Sequence, residues 1–422
     1  MPSLLTHDRR PNTKHSRYTT LTKDHMIVTS PHGRDYLLRD LIETLIINNE
    51  LSARPSDDWR SQALRAAPRD HFVPDRAWVP SRDLSGGYVI DHRIDPDDWL
   101  LAVYRDTLLV TKRGDGDIID TSVPATSAVS RPGVVMRFLE LLQPQPGDRV
   151  LEVGTASGWT AGLLAHRVGD GNLITIEIDP ELSTTAKQNL SKLGLAPIVV
   201  TGDATMGSTV REEFDRIHVT CGVRNVPQGW TSQLRPGGVM VLPWMPAHGQ
   251  RGEILKLQAP LISPWLIGRF CGSTSFIMMS GQDVDIPTSG RRADDESSWT
   301  SMRPTQVMEA MPRGFGIFLT AVAPDLAITK AKREEHNDRA AFVMELASLR
   351  DDSYATIVAD PAYDRTCMTQ SGRGLGDILF QAYRQWVRLG KPGRDRFGLW
   401  IGPDREVIWL DRPSNAIGAR NR

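Results

Sequence analysis

The sequence predicts an α/β protein: a doubly wound parallel sheet, preceded by a helical extension and followed by a C-terminal α+β domain. Three observations carry this reading. Between Pro132 and Pro243 short apolar runs alternate with amphipathic stretches, one of those runs feeds a glycine turn that opens a helix, and a later Pro/Ser/Gly-rich stretch gives way to a second set of strand-like runs. At 422 residues the chain exceeds what one core comfortably serves. Lys+Arg 50 against Asp+Glu 51 leaves a net charge of −1, which excludes a nucleic-acid coat as the dominant theme. Three cysteines, Cys221, Cys271 and Cys367, are too few and too scattered for a disulfide framework or a zinc site. No apolar run approaches the ~20 residues that span a bilayer, and the polar, basic N-terminus has no signal-peptide apolar stretch. The expectation is a cytoplasmic protein with no nucleic-acid, membrane or metal partner.

Along the chain, residues 1–34 show no apolar period and read as a flexible arm. Tyr36–Asn49 is helical by the spacing of Leu37, Leu38, Leu41, Ile42, Leu45 and Ile46, and Asp57–Ala67 is a second helix ending at Pro68. Trp99–Tyr104 and Leu108–Thr111 read as short strands. Val134–Leu142 is a helix and Arg149–Val153 a buried strand. Thr160–Val168 is a helix, Leu173–Ile178 a strand, and Pro180–Leu193 a helix with proline in its first turn. Ile198–Thr201, Arg216–Thr220 and Val239–Leu242 complete the strands, so that one domain spans 35–281. Residues 282–312 read as a linker and 313–422 as the α+β domain. There, Phe315–Ala321 and Tyr354–Val358 read as strands and Asp377–Leu389 as a helix. A hairpin, Phe397–Ile401 and Glu406–Leu410, turns at Gly402–Arg405.

The chemistry gathers at Val150-Leu-Glu152-Val-Gly154-Thr155-Ala156-Ser157-Gly158-Trp159. A strand entering a glycine turn and a helix is where doubly wound, Rossmann-like folds hold nucleotides. The spacing is Gly-x-x-x-Gly, which lacks the pyrophosphate cradle of dinucleotide sites. The next strand ends in Glu177-Ile178, where a carboxylate can accept from both ribose hydroxyls, and the third leads into Gly202-Asp203-Ala204, where Asp203 can accept from an adenine amino group. An adenosine without a phosphate chain, held by two carboxylates and a glycine turn, suits S-adenosylmethionine.

These residues resemble the S-adenosylmethionine site of the protein-L-isoaspartate O-methyltransferase family. The resemblance extends to Ala66-Ala-Pro68-Arg69-Asp-His-Phe72-Val73-Pro74, Tyr104-Arg-Asp106-Thr-Leu108, Val129-Ser130-Arg131-Pro132, Phe214-Asp215-Arg216-Ile217-His-Val-Thr220, Val226-Pro227 and Leu234-Arg-Pro236-Gly237-Gly238, in family order over roughly residues 57 to 281. It implies a cofactor site formed by Glu152, Gly154, Thr155, Ala156, Ser157, Gly158, Trp159, Glu177, Ile178, Gly202, Asp203, Ala204 and Thr220, with S-adenosyl-L-homocysteine as product. It also implies an acceptor site at Ser127, Val129, Ser130, Cys221 and Gly222. Ala156, Trp159 and Ala204 depart from the usual family residues and are expected to narrow the cofactor pocket; Ala128 stands where Thr is common.

Methyl transfer to a carboxylate needs in-line proximity and partial desolvation, not a strong base. A neutral hydroxyl orients such an acceptor without holding its lone pairs, so Ser130 is the candidate catalytic residue; its alternative reading is a cap for the helix after Pro132. Cys221 has no basic neighbour to lower its pKa and reads as a small buried residue. The residues after 281 make the chain resemble the long family members found beside ATP-grasp ligases or lanthipeptide cyclases in ribosomal peptide pathways, with Gly402–Pro413 like their ending. That resemblance implies methylation of an aspartate in a cyclised precursor peptide, the ester closing to an aspartimide or going on to isoaspartate. General isoaspartyl repair is one alternative and a non-catalytic peptide-binding scaffold another. Within Arg365–Arg396 seven basic residues stand against two acidic ones, a pattern that suits an acidic peptide or simply a solvated helix face.

Overall fold

The computed structural model describes residues 31–81, 86–210, 213–246, 252–283, 296–336, 339–360 and 365–421. The arm expected over 1–34 lies outside the described residues up to 30, and from Pro31 the chain is already helical. Helix α1 (Pro31–Ile47) buries Leu38, Leu41, Ile42 and Leu45. Helix α2 (Trp59–Ala66) starts where the Asp58 carboxylate accepts the Arg60 N–H at 3.0 Å. Then come β1 (Arg76–Pro80), β2 (Gly87–Asp91), α3 (Pro96–Val103), β3 (Leu109–Lys112) and β4 (Ser127–Val129), whose strands form an antiparallel sheet in the order β2-β1-β3-β4. The run from Trp99, expected as a strand, is therefore helical. Asp95 caps α3 by accepting the Asp98 N–H at 2.9 Å and Pro96 sits in the first turn, whereas a short apolar run alone fits either element.

The main sheet is laid down by α4 (Pro132–Leu142), β5 (Val150–Val153), α5 (Trp159–Val168), β6 (Leu173–Glu177), α6 (Pro180–Lys192), β7 (Ile198–Thr201), β8 (Phe214–Val219), α7 (Gln228–Gln233), β9 (Leu234–Trp244), β10 (Gly252–Gln258) and β11 (Leu266–Thr274). Strands β5 to β9 are parallel, and the chain steps from β5 outward to β6 and β7 before crossing to β8 on the other side. That reversal opens a crevice at the C-terminal ends of β5 and β8, where such sheets bind ligands. Strands β5 and β6 are buried along their whole length, as a sheet covered on both faces requires.

Past β11 lie β12 (Glu296–Thr300), α8 (Pro304–Ala310), α9 (Phe315–Val322), β13 (Leu326–His336), β14 (Arg339–Ser348), β15 (Tyr354–Asp360), β16 (Arg365–Ser371), α10 (Leu375–Arg388), β17 (Phe397–Ile401), β18 (Arg405–Leu410) and β19 (Ala416–Asn421). Two expectations are corrected here. The stretch read as a linker contains β12, paired to β16, and α8; residues 284–295 of it lie outside the described residues. Phe315–Ala321 is a helix, entered through Gly314 at φ +115°, and it is buried on most sides, which removes the helical period a sequence would show.

The C-terminal region is split between two sheets. Strands β12 to β16 form a five-stranded antiparallel sheet, while β17 pairs with β11 and carries β18 and β19 with it, extending the main sheet to ten strands. One apolar cluster runs from Val153 and Val219 through Phe315, Leu379 and Trp386 to Leu399 and Leu410. The boundary expected at residue 313 therefore crosses a continuous core. Glu253 on β10, buried, accepts from the Arg394 guanidinium at 2.5 Å and ties the last segment to the sheet.

Candidate active site

The glycine turn closes on Thr220. Gly154 adopts φ +87°, and a Cβ there would meet the Thr220 hydroxyl at 2.5 Å, so only glycine lets the two loops approach. Thr220 returns the contact by donating its N–H to the Val153 carbonyl at 2.9 Å. Ala156 holds φ +47°, a costly conformation for a residue with a Cβ, and is kept there because the Glu177 Oε2 accepts its N–H at 2.8 Å. Glu177 Oε1 accepts the Asp179 N–H at 3.0 Å. Two of roughly four lone-pair positions on that buried carboxylate are thus used, which leaves two for a diol. Ile178 beside it is 50% exposed, an apolar surface next to an acid that a purine can cover. The third strand's end is drawn in by the Gly202 N–H, which donates to the Glu177 carbonyl at 2.9 Å. Asp203 is exposed; its Oδ1 accepts from the Thr205 N–H at 2.8 Å, and Oδ2 remains available to a ligand.

The other expected cofactor residues are all buried. Ala204 is buried, its carbonyl accepting the Trp230 indole N–H at 2.6 Å, and Ser157 is buried with its carbonyl on the Asn189 side chain. Glu152 is fully buried beneath the turn: it accepts the Thr175 hydroxyl at 2.7 Å, and because that spends the Thr175 proton, Thr155 is the donor in the 2.6 Å Thr155–Thr175 contact. Trp159 points its side chain the other way. Its indole N–H donates to the Ala67 carbonyl at 3.2 Å, and the Arg69 guanidinium lies 5.2 Å from its ring centroid. The ring packs between α5 and the N-terminal helices, so the expectation that Trp159 narrows the cofactor pocket is corrected: its side chain faces away from the turn.

Ser130 follows β4, and its placement depends on Arg69. That arginine is 1% exposed and donates to five carbonyls, those of Val103, Arg105, Thr107, Val129 and Ser130, at 2.7 to 3.3 Å. Burial pushes its pKa down to about 9, still above neutrality, so the guanidinium stays charged. The Ser130 backbone is thereby fixed while its hydroxyl is left without a hydrogen-bond partner among the described residues. Helix α4 does not use Ser130 as its cap: Asp106 Oδ1 accepts the Gly133 N–H at 2.7 Å and fills that role from outside the helix. Arg131, the cation next to Ser130, is held by Glu50 at 2.9 Å and Asp106 at 3.4 Å. Ser127 is buried, its hydroxyl accepting from Thr111 at 3.0 Å. Its strand partner Lys112 bridges to Asp179 at 2.7 Å and Glu181 at 2.9 Å, which sets the β3–β4 sheet beside the Glu177 loop.

Cys221 and Gly222 follow Thr220 beyond the C-terminal end of β8. The Cys221 thiol is pushed up to about 12 by burial, with the Glu177 charge adding to the effect. It stays protonated and is no nucleophile. In the folded protein Cys221 should therefore resist iodoacetamide at pH 8 as read by peptide mass spectrometry, and should alkylate only after denaturation; rapid native-state labelling would mean the thiolate is accessible. Gly222 is stitched to the Ile277–Met279 segment by two backbone hydrogen bonds of 2.7 and 2.8 Å. No cluster of metal-ligating side chains occurs among the described residues, and no described helix is long and apolar enough to cross a membrane. Arg69, Asp106 and Lys112 are the supporting residues that sequence reasoning did not assign. Their one signal was that the first two stand inside motifs otherwise read only for resemblance.

A parallel sheet with a glycine turn after β5, a carboxylate at the end of β6 and a second carboxylate after β7 defines a Rossmann-like S-adenosylmethionine-dependent methyltransferase. Comparison then places it more narrowly. The family model described as protein-L-isoaspartate(D-aspartate) O-methyltransferase matches residues 101–276. The protein-L-isoaspartate O-methyltransferase of Methanopyrus kandleri is 38% identical over 184 residues, 40% of this chain and 80% of the relative; that of Pyrococcus horikoshii is 40% identical over 122 residues, 29% of this chain and 55% of the relative. The chain belongs to the protein-L-isoaspartate O-methyltransferase family. Among solved structures, one protein-L-isoaspartate O-methyltransferase aligns over 87% of this chain and 96% of its own, at 20% identity and TM-score 0.49. A putative one from Plasmodium falciparum, in complex with S-adenosyl-L-homocysteine, aligns over 57% and 96%, at 15% identity and TM-score 0.40. The protein is a carboxyl O-methyltransferase, and S-adenosylmethionine is its methyl donor.

Proposed function

We propose that the chain methylates an aspartate side chain in a constrained, cyclised precursor peptide, and that the ester closes to an aspartimide. The observation that supports this reading is the region beyond residue 276, where the family model ends: a five-stranded sheet with helices, plus three strands built into the main sheet. Such an extension offers remote binding surface, which a pocket reading only the local backbone of many short peptides does not need. The basic stretch contributes less than its composition suggests. Arg394 is paired with Glu253, Arg396 with Asp411 and Arg373 with Asp325 and Asp351, which leaves Arg384, Arg388 and Lys391 as the exposed cations on and after α10.

S-adenosylmethionine, when bound, supplies a methyl group that a carboxylate oxygen takes as the carbon–sulfur bond breaks. Gly154 to Gly158, Glu177, Ile178 and Asp203 would hold the donor. The Ser130 hydroxyl would donate to one oxygen of the acceptor and leave the other to attack. Arg131, already neutralised, would not compete for it. The residue after the esterified aspartate then attacks the ester carbonyl through its backbone nitrogen, and methanol leaves.

Ser130→Ala should lower turnover by about 10- to 100-fold, the worth of one hydrogen bond to a charged acceptor, while affinity for S-adenosylhomocysteine and thermal stability stay near wild type. Retained turnover would show that the hydroxyl has no part in the reaction. The substrate class is tested with the full chain, because a cut at residue 313 removes three strands of the main sheet. A pre-cyclised peptide should be methylated far faster than a linear isoaspartyl peptide, and its product should finish one water lighter by mass spectrometry. Equal or faster turnover of the linear peptide would leave repair as the function.

A further inference from the structure

The loop from Thr220 to Val226 leaves the C-terminal end of β8, touches the glycine turn at one end and carries Cys221 and Gly222 along the crevice. Its far end is held from 180 residues away. The Glu406 carboxylate on β18 is 1% exposed; its Oε1 accepts the Val226 N–H at 3.2 Å. Its Oε2 accepts from the Arg420 Nε on β19 at 2.8 Å, and the Arg420 Nη2 donates to the Arg224 carbonyl at 2.6 Å. The Arg420 guanidinium also lies 5.0 Å from the Trp244 ring centroid, and Trp244 ends β9 next to this loop. Gln282 grips the middle of the loop, its Oε1 accepting the Arg224 and Asn225 N–H groups at 2.7 and 3.0 Å.

We propose that Glu406 and Arg420 are positioning residues for methyl transfer: the last two strands of the chain set the Cys221–Val226 wall of the crevice through its backbone. The inference rests on reading Thr220 to Gly222 as part of the site. A carboxylate buried at the end of a hairpin, spending one oxygen on a loop amide and the other on an arginine that itself reaches the same loop, couples that loop's geometry to the C-terminal strands. Methyl transfer is sensitive to misplacement of the acceptor by about an ångström, so a slackened wall lowers turnover before it lowers donor affinity. The extension would then act in the reaction itself, whatever its part in binding substrate.

The test uses the full chain with Arg420→Ala, Glu406→Ala and Glu406→Gln, and Arg405→Ala as a control on the same hairpin, where the cation lies over Trp265. Hydrogen exchange at residues 222–226, S-adenosylhomocysteine affinity by titration calorimetry, and kcat and KM on whichever of the linear or pre-cyclised peptides the wild type methylates are measured together. Arg420→Ala should speed loop exchange and cut kcat at least tenfold, with S-adenosylhomocysteine affinity within threefold of wild type. Glu406→Ala should do the same, and Glu406→Gln, which keeps an acceptor for the Val226 amide, should recover part of the loss. The Arg405 control should match wild type. Faster loop exchange with kcat unchanged would overturn the proposal. So would equal losses of kcat, donor affinity and melting temperature, which would mark the pair as merely structural. A wild type that fails to bind S-adenosylhomocysteine would instead refute the site on which the inference rests.

Discussion

Arg69→Met should destabilise the protein by about 3–5 kcal/mol, read as a fall in the urea midpoint at unchanged slope. The guanidinium is 1% exposed and makes five hydrogen bonds to carbonyls of the segments 103–107 and 129–130. Methionine matches the stem but supplies no donor, so those carbonyls lose a charged partner in a place water reaches poorly. Arg69→Lys should recover little, because a single ammonium has three donors at one point and cannot span a fork that meets five acceptors. Variant protein that still folds should bind S-adenosylhomocysteine nearly normally yet turn over slowly, since the Arg69 network fixes Ser130 and not the glycine turn. A midpoint within a few tenths molar of wild type would show that solvent replaces the guanidinium.

The strand-end turns read as the cofactor half of the site were legible in the sequence because each is local. Residues 150–159, 177–178 and 202–204 are each a strand end with its following turn, and the parallel order that brings them together follows from alternating strands and helices. The acceptor half was not legible in the same way. What fixes Ser130 is a set of backbone carbonyls, which have no signature in a sequence, and an arginine 61 residues earlier. Asp106 caps α4 from 27 residues away, so a search for a capping residue adjacent to the helix offers Ser130 instead. The C-terminal hairpin was legible as two strands with a turn. That it pairs with β11 was not, since an antiparallel join between Leu266 and Ile401 is decided by packing across the whole fold. The same limit hid the helical state of Phe315–Val322: a run that is apolar on nearly every side has no period to read.

Glu177→Ala should weaken S-adenosylhomocysteine binding by roughly 1.5–3 kcal/mol, about 10- to 150-fold. Two losses combine. The ribose diol would lose a charged acceptor in a buried position. The variant also removes the group that holds the Ala156 N–H at 2.8 Å and so helps keep Ala156 at φ +47°. The glycine turn should then relax, so the damage reaches beyond the missing ribose contacts. Glu177→Gln separates the two contributions. It keeps an oxygen that can accept the Ala156 N–H and so preserves the turn, but it has no net charge and only one carbonyl oxygen for the diol. An intermediate loss for Gln would give both terms weight. Equal losses for Gln and Ala would put the whole effect on charge at the ribose. Binding unchanged in both variants would make Glu177 a buried strand-end residue that serves the turn alone, and the donor would have to be held elsewhere along the crevice.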